Sequence, residues 1–499
     1  MSSLALADTT LAELAADAVV VGLYSSTDGT PTLAPGAAEL DAAFDHRLVQ
    51  TLVLLGATGA VGEVTRLASL GTVPAPVVAA VGLGAAGTTG PAADESVRRA
   101  AGAAVRALAG SRTVALALPS LRPAAEGAAL GGYRFDGYRA SSGTDRAPVA
   151  KVQLVVPDAR DRAAKAELKR AAALADAATF TRNWVNTPGN DLRPPAFADA
   201  VSAAATKAGL AVEVLDEKAL RRAGYGGILA VGLGSAQPPR LVRLAYSPRG
   251  TAAAKVALVG KGITFDTGGL SIKPAKGMWE MKSDMAGAAA VAGAMLAVAA
   301  LKPKVEVVAY LPMAENMPSG TAYRPGDVVT MYSGTRVEVL NTDAEGRMVL
   351  ADAIARACED EPDYLFETST LTGGQVTSLG TRIAGVMGSE SLHERVRTAG
   401  DRVGEPMWPM PLPEEIATLM KSDVADLSQC ATGLDRSGHM LQGGYFLSRF
   451  VADGVEWAHL DVAGPAYHES DEYGYLTKGA TAVPLRTLVE LVTDIADNG

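Results

Sequence analysis

Short apolar runs rich in β-branched residues alternate along this chain with alanine-rich stretches too long to be strands. That alternation leaves few folds open. Runs of the first kind are Ala18–Leu23, Thr51–Leu55, Val77–Val81, Thr113–Leu118 and Val152–Val156, with a helical stretch from Asp94 to Ala109. Strand–helix alternation argues for an α/β sheet. Gly131–Arg146, rich in Gly, Tyr and Ser, breaks the pattern and reads as a hairpin or loop carrying Tyr133, Tyr138 and Arg139. Gly84–Thr89 reads as a loop rather than a phosphate cradle.

Asp158 to Trp184 runs through Ala, Glu, Lys and Leu with few breakers and stops at the turn cluster Val185–Asn190. One long helix is expected there, bridging two separate sheets, with a domain boundary along it near residue 165. Beyond it the alternation restarts. Helices are expected at Pro195–Ala208, Ala286–Leu301 and Arg347–Cys358. Strands are expected at Ala211–Leu215, Ile228–Val231, Arg240–Tyr246, Lys255–Val259, Val305–Tyr310, Asp327–Met331, Val337–Leu340 and Asp363–Glu367.

With 499 residues, 48% of them hydrophobic, the chain can bury sizeable cores, which excludes a disordered polymer. The formal charge of −10 disfavours general nucleic-acid binding, which draws on a basic surplus. Two cysteines, Cys358 and Cys430, are too few for a disulfide scaffold or a thiolate zinc site and read as small buried hydrophobes. Met1 to Tyr24 carries no Lys or Arg, so no secretory leader is expected there. The longest apolar run, Met285–Leu301, is shorter than a typical membrane span. The expectation is a soluble cytoplasmic protein with no membrane partner.

Two stretches carry the chemistry. The first, Val259 to Asp284, starts at the end of a strand, where open α/β sheets bind ligands. It holds Lys261, Asp266, Lys273 and Asp284, and two glycines after Thr267 that permit close backbone approach. The second, Asn341-Thr342-Asp343-Ala344-Glu345-Gly346-Arg347, also follows a strand and opens a helix. Acidic groups suit a helix start, whereas Arg347 does not. Four carboxylates meeting in a cleft (Asp266, Asp284, Asp343 and Glu345) would repel unless neutralised, and divalent cations neutralise them most simply. None of the five histidines lies in either stretch. Lys261, desolvated beside two metals, could shed its proton and become a nitrogen ligand. Carboxylates shared by two metals about 3.5–4 Å apart would create a bridging hydroxide and a Lewis-acid pair, hence metal-assisted hydrolysis.

Simpler readings exist for individual residues. Asp266-Thr267-Gly268 alone could belong to an aspartic protease, but that fold needs two such motifs and only one is found. Gly260-Lys261-Gly262 lacks the spacing of a phosphate loop. Met281 could be plain core, Lys276 and Lys282 plain surface charges, and His459 on its apolar strand a satisfied core histidine.

Together, these motifs resemble the cytosol aminopeptidase family, the dinuclear-metal leucyl aminopeptidases. Residues 341–347 match its signature without gaps, and Lys261, Asp266, Lys273 and Asp284 match its other motif in spacing. Glu315–Asp327, Thr370–Gly373 and Trp457–Asp461 extend the likeness over roughly residues 180–490. The resemblance implies a smaller N-terminal α/β domain (1–165), a linking helix (166–186) and a larger α/β catalytic domain with a mixed central sheet (187–499). It implies two divalent metal ions per subunit, Mn²⁺ or Zn²⁺, held by Lys261, Asp266, Asp284, Asp343 and Glu345, with Asp266 and Glu345 bridging. Lys273 would be the electrophilic lysine, and Arg347 would anchor a bicarbonate with the amides of Ala344, Gly346 and Leu371. Met281, Asn341, Thr370 and Gly373 map onto the substrate pocket.

The implied activity removes an N-terminal residue, leucine or another mostly apolar one, from peptides with a free amine, in a homohexamer. Gly438–Tyr445 departs from the family's usual small-residue run, so the side-chain pocket differs there. The alternatives are a DNA-binding or architectural role, as in some relatives, and cleavage of cysteinylglycine by the same chemistry.

Overall fold

Two sheets, each sandwiched between helices, account for most of the computed structural model, which describes residues 2–139 and 147–499. The chain divides into two units. One comprises Met1–Thr179 with Glu469–Lys478, the other Phe180–His468 with Gly479–Gly499.

In the first unit the strand order is Ser3–Ala7, Lys151–Val155, Thr113–Ala117, Ala18–Ser25, Val77–Ala85 and Val64–Ala68, with Thr32–Leu33 paired to Ala18–Ser25. Strand period two divides the buried side chains between two cores. Val20 faces the helices Gly90–Ala107 and Leu121–Gly131, while Val19 and Val21 face the opposite core with Leu40, Leu48 and Leu52. The stretch Thr51–Leu55 is not the expected strand: Leu48–Leu54 is a helix that buries Leu48 and Leu52, four apart, and leaves Leu54 exposed. Gly131 ends a helix, and no strand follows it as far as Arg139. The rest of the expected hairpin, 140–146, lies outside the described residues.

The long helix is Arg162–Asn186, and the division between the units falls within it. The second unit's main sheet runs Met407–Pro409, Ala384–Gly388, Glu456–Asp461, Tyr364–Ser369, Lys255–Gly260, Glu306–Asn316, Arg240–Tyr246 and Ala211–Leu215. Gly262–Asp266 pairs alongside Glu306–Asn316. The sheet is mixed. Its four central strands are parallel, Arg240–Tyr246 and Ala211–Leu215 run antiparallel to their neighbours, and Ala384–Gly388 is antiparallel to Glu456–Asp461 but parallel to Met407–Pro409. Ala286–Leu301 is buried almost all round against this sheet and the helix Leu485–Asn498. With the 3-10 turn before it, that helix is long and apolar enough to span a membrane, but most of it is buried inside the protein, as a core helix is.

Ile228–Val231 is likewise a helix, Gly226–Gly232, rather than a strand. A short apolar run cannot be assigned by periodicity alone. Here a distant carboxylate decides it. Asp352, fully buried on the helix Gly346–Cys358, accepts the amides of Ile228 (2.9 Å) and Tyr332 (2.8 Å). Burial pushes its pKa up to about 7, against the lowering by those backbone amides. The folded state therefore keeps a proton that the unfolded chain has already released. This contribution is whole below about pH 4, is lost as pH rises towards about 7, and is flat above, at up to about 1.4 kcal/mol per pH unit. Asp352→Asn is expected to remove that slope from thermal unfolding profiles. Equal pH dependence in the two proteins would show that Asp352 does not titrate there.

Candidate metal centre

The parallel strands of the second unit deliver the site at their C-terminal ends. Lys255–Gly260 leads into Lys261, whose amide bonds to the Thr368 carbonyl of the next strand at 3.1 Å. Tyr364–Ser369 leads into Thr370–Thr372, and Asp266 sits opposite Asn316 in register. Glu345 immediately precedes the helix Gly346–Cys358, its side chain turned to Lys261 rather than to the helix amides, and Asp284 follows the 3-10 turn Met278–Ser283.

Asp266, Asp343 and Glu345 each offer a ligand oxygen within 4.8 Å of the others. Lys261 Nζ lies 2.8 Å from Asp284, 2.9 Å from Glu345 and 3.2 Å from the Thr370 carbonyl. Lys273 Nζ bridges Asp266 at 2.7 Å and Asp343 at 2.5 Å. Thr370 Oγ1 donates to Asp284 Oδ1 at 2.7 Å. One assembly thus joins all four expected carboxylates, both lysines and Thr370. Gly346 belongs to it by close approach: a Cβ there would lie 2.4 Å from Lys261 Cε.

The electrostatics follow from burial. Desolvation raises the pKa of Asp284 well above the carboxylate range, and raises Asp266 with help from the charge of Glu345. Asp343 is pushed up to about 6, first by burial and then by Asp266 and Glu345, against Lys273. Glu345 is the exception: burial would raise it, but Lys261 and Lys273 outweigh that and lower it. Burial would strip the proton from Lys261, yet Asp284, Glu345 and Asp266 more than offset it, so its pKa rises. Without a metal, the three carboxylates thus favour the charged form of Lys261, which pairs with Asp284 and Glu345. Lys273 is raised in the same way. Four carboxylates against two ammonium groups leave the pocket short of positive charge. An oxygen-rich set of this kind fits a hard or borderline divalent cation.

The remaining expected residues surround this cluster without contacting its carboxylates. Arg347 is buried and bonds the Gln429 carbonyl at 2.7 Å, while its Nε has no hydrogen-bond partner among the described residues. An orphan buried donor on a cation suits a small anion. The Ala344 amide donates to the Asn341 carbonyl, and the Leu371 amide to Asp461 at 3.2 Å. Asn341 Oδ1 accepts the Asp343 amide at 2.9 Å. Met281 is half-buried on its 3-10 turn, and Gly373 opens a helix capped by Thr372. Lys282 is not a free surface charge, since it donates to the Asn186 carbonyl at 3.0 Å.

Three contributors went unread in the sequence. Asn316 binds Asp266, Gln429 holds both Ala344 and Arg347, and Asp461 holds Leu371 and Thr372. Asn316 and Asp461 lie in matching text, but nothing in their type or spacing marks a role. His459 is a buried core histidine, as expected, but only half satisfied: Nδ1 meets Glu367, while Nε2 has no hydrogen-bond partner among the described residues. Cys358 and Cys430 are free thiols, Cys430 buried and Cys358 only partly.

Comparison with known proteins adds an independent line. Residues 179–489 match the catalytic domain of the cytosol aminopeptidase family, and residues 20–142 match its N-terminal domain. A probable cytosol aminopeptidase of Rhodococcus jostii is 52% identical over 488 residues, covering 97% of this chain and 95% of that protein. Among solved structures, the bottromycin maturation enzyme BotP in complex with Mn superposes with a TM-score of 0.84 at 37% identity, covering 97% of this chain and 100% of that one. A variant of tomato leucine aminopeptidase superposes with a TM-score of 0.86 at 30% identity, covering 99% and 96%.

Proposed function

This chain belongs to the cytosol aminopeptidase family and is a peptide hydrolase of that family, and from that premise we propose that it removes the N-terminal residue, leucine or another mostly apolar one, by two-metal hydrolysis. The observation that carries the reading is the convergence of Asp266, Asp343 and Glu345 within 4.8 Å, cross-linked by two lysines. Lys261, Asp266, Asp284 and Glu345 would hold one divalent cation, Mn²⁺ or Zn²⁺, and Asp266, Asp343 and Glu345 a second. When bound, these cations supply Lewis acidity and an activated water at neutral pH.

The chain's own groups do the rest. A peptide's free α-amine, in its neutral form, would complete the ligand set of such a centre, which an internal residue cannot do because it has no free amine. Lys273, one-fifth exposed, is the cation nearest the solvent side of the cluster. It is placed to donate to the scissile carbonyl oxygen as negative charge develops there. Met281, Asn341, Thr370 and Gly373 would receive the substrate. Arg347, with its unpartnered Nε, would hold a bicarbonate whose chemistry is proton relay. The Gly346 amide would join it, and those of Ala344 and Leu371 would do so by exchanging their present partners.

The same reading assigns catalysis to residues 187–499, the cytoplasm as location and a homohexamer as assembly. Incubation of the purified protein with Mn²⁺ or Zn²⁺ and a panel of aminoacyl arylamides is expected to release arylamine, fastest from leucine or similar residues. No release with either metal across the panel would refute the peptidase reading.

A further inference from the structure

Asp266 and the 341–347 loop come from different parts of the chain, yet both must hold their positions for one cluster to form. A single buried amide touches both. Asn316 ends the strand Glu306–Asn316 and is completely buried. Its Nδ2 donates to Asp266 Oδ1 at 2.8 Å and to the Thr342 carbonyl at 2.9 Å. Both partners are acceptors, so the amide can present only its nitrogen to them, and its orientation is fixed. The main-chain carbonyl of Asn316 accepts the Thr267 amide at 3.0 Å and the Thr267 hydroxyl at 2.8 Å, which pins the backbone just after Asp266. The Gly268-Gly269 turn makes room for it: Gly269 has φ +64°, and a Cβ there would lie 2.8 Å from Asn316 Oδ1.

We propose that Asn316 is a positioning residue that aims the Asp266 carboxylate and sets its separation from Asp343 and Glu345 by clamping both loops with one NH2 group. Asp266 Oδ1 is saturated by Asn316 and the Gly268 amide, which leaves Oδ2 as the oxygen facing the other carboxylates and Lys273. Tyr323, whose hydroxyl also donates to the Thr342 carbonyl at 2.9 Å, steadies the second loop but does not reach the first. Lys273 also touches both Asp266 and Asp343, and Thr342 bonds directly to Gly268 and Ser271, but Asn316 joins the loops by a completely buried neutral amide that fixes one oxygen of Asp266.

The inference rests on the metal-centre reading, and its test reads metal binding apart from turnover. Asn316→Leu removes the donor at similar volume, and Asn316→Asp replaces it with an acceptor at the same shape. Mn²⁺ is titrated calorimetrically into each metal-free full-length protein, with thermal unfolding as the control for folding. Both variants are expected to bind Mn²⁺ about 10–100-fold more weakly, the usual cost of losing a group that orients a ligand. At saturating Mn²⁺ their KM for an arylamide is expected to stay unchanged while kcat falls. Mn²⁺ binding as tight as in the parent would overturn the proposal. So would failure of both variants to fold even with excess Mn²⁺, which would make Asn316 a folding residue. If the parent binds Mn²⁺ and the variants bind it weakly, but the parent releases no arylamine, the positioning role stands and the peptidase reading falls. If the parent takes up neither Mn²⁺ nor, in the same titration, Zn²⁺, both fall.

Discussion

Asp266→Ala is expected to lower kcat/KM by at least about 10⁴-fold, roughly 5 kcal/mol of transition-state stabilisation, and to weaken Mn²⁺ binding with it. No other carboxylate here is so centrally connected. One oxygen accepts from Asn316 and Gly268, and the other meets Lys273. In the proposed arrangement Asp266 would help to hold both cations, so one truncation would strip a ligand from each. The fold is expected to survive. Lys273 is partly exposed and can return to water when its partner goes. The Asn316 amide is left with the Thr342 carbonyl. Kinetics on a leucyl arylamide with excess Mn²⁺, beside a thermal unfolding curve, check this. A folded Asp266→Ala protein that kept more than about a tenth of parental kcat/KM would remove Asp266 from the centre.

Lys273→Ala is expected to raise the barrier to turnover by about 2–4 kcal/mol, a fall in kcat of roughly 30- to 10³-fold, as for deleting one preorganised donor to a developing oxyanion. The structure adds a sign that separates this loss from a loss of metal. Lys273 sits as a cation between Asp266 and Asp343, where it competes with any metal for both. Its removal is therefore expected to leave Mn²⁺ affinity unchanged or tighter while turnover collapses. A variant with parental kcat would remove Lys273 from the reaction. One whose Mn²⁺ affinity fell in step with kcat would make it a structural counter-ion instead.

Legibility in the sequence depended on whether the deciding contacts were local. Ala286–Leu301 was read to the residue, because seventeen apolar positions in a row admit a core helix and little else. The stretches Thr51–Leu55 and Ile228–Val231 were misread as strands, and both are helices. For Ile228 the deciding contact is the Asp352 carboxylate, 124 positions away. The unit division shows the same limit, since Glu469–Lys478 packs within the first unit by contacts such as Arg106 to Glu472, far apart in the chain.

By itself, the sequence determined the α/β class, the family, and the four carboxylates and two lysines that meet, because residue type and short spacing carry that information. Only the tertiary structure decided how those charges are balanced: which lysine pairs with which acid, that Arg347 Nε is left without a partner among the described residues, and that Asn316 bonds both loops. These depend on desolvation and on separations of a few ångströms between segments that approach only once the sheet has formed, and no local pattern encodes them.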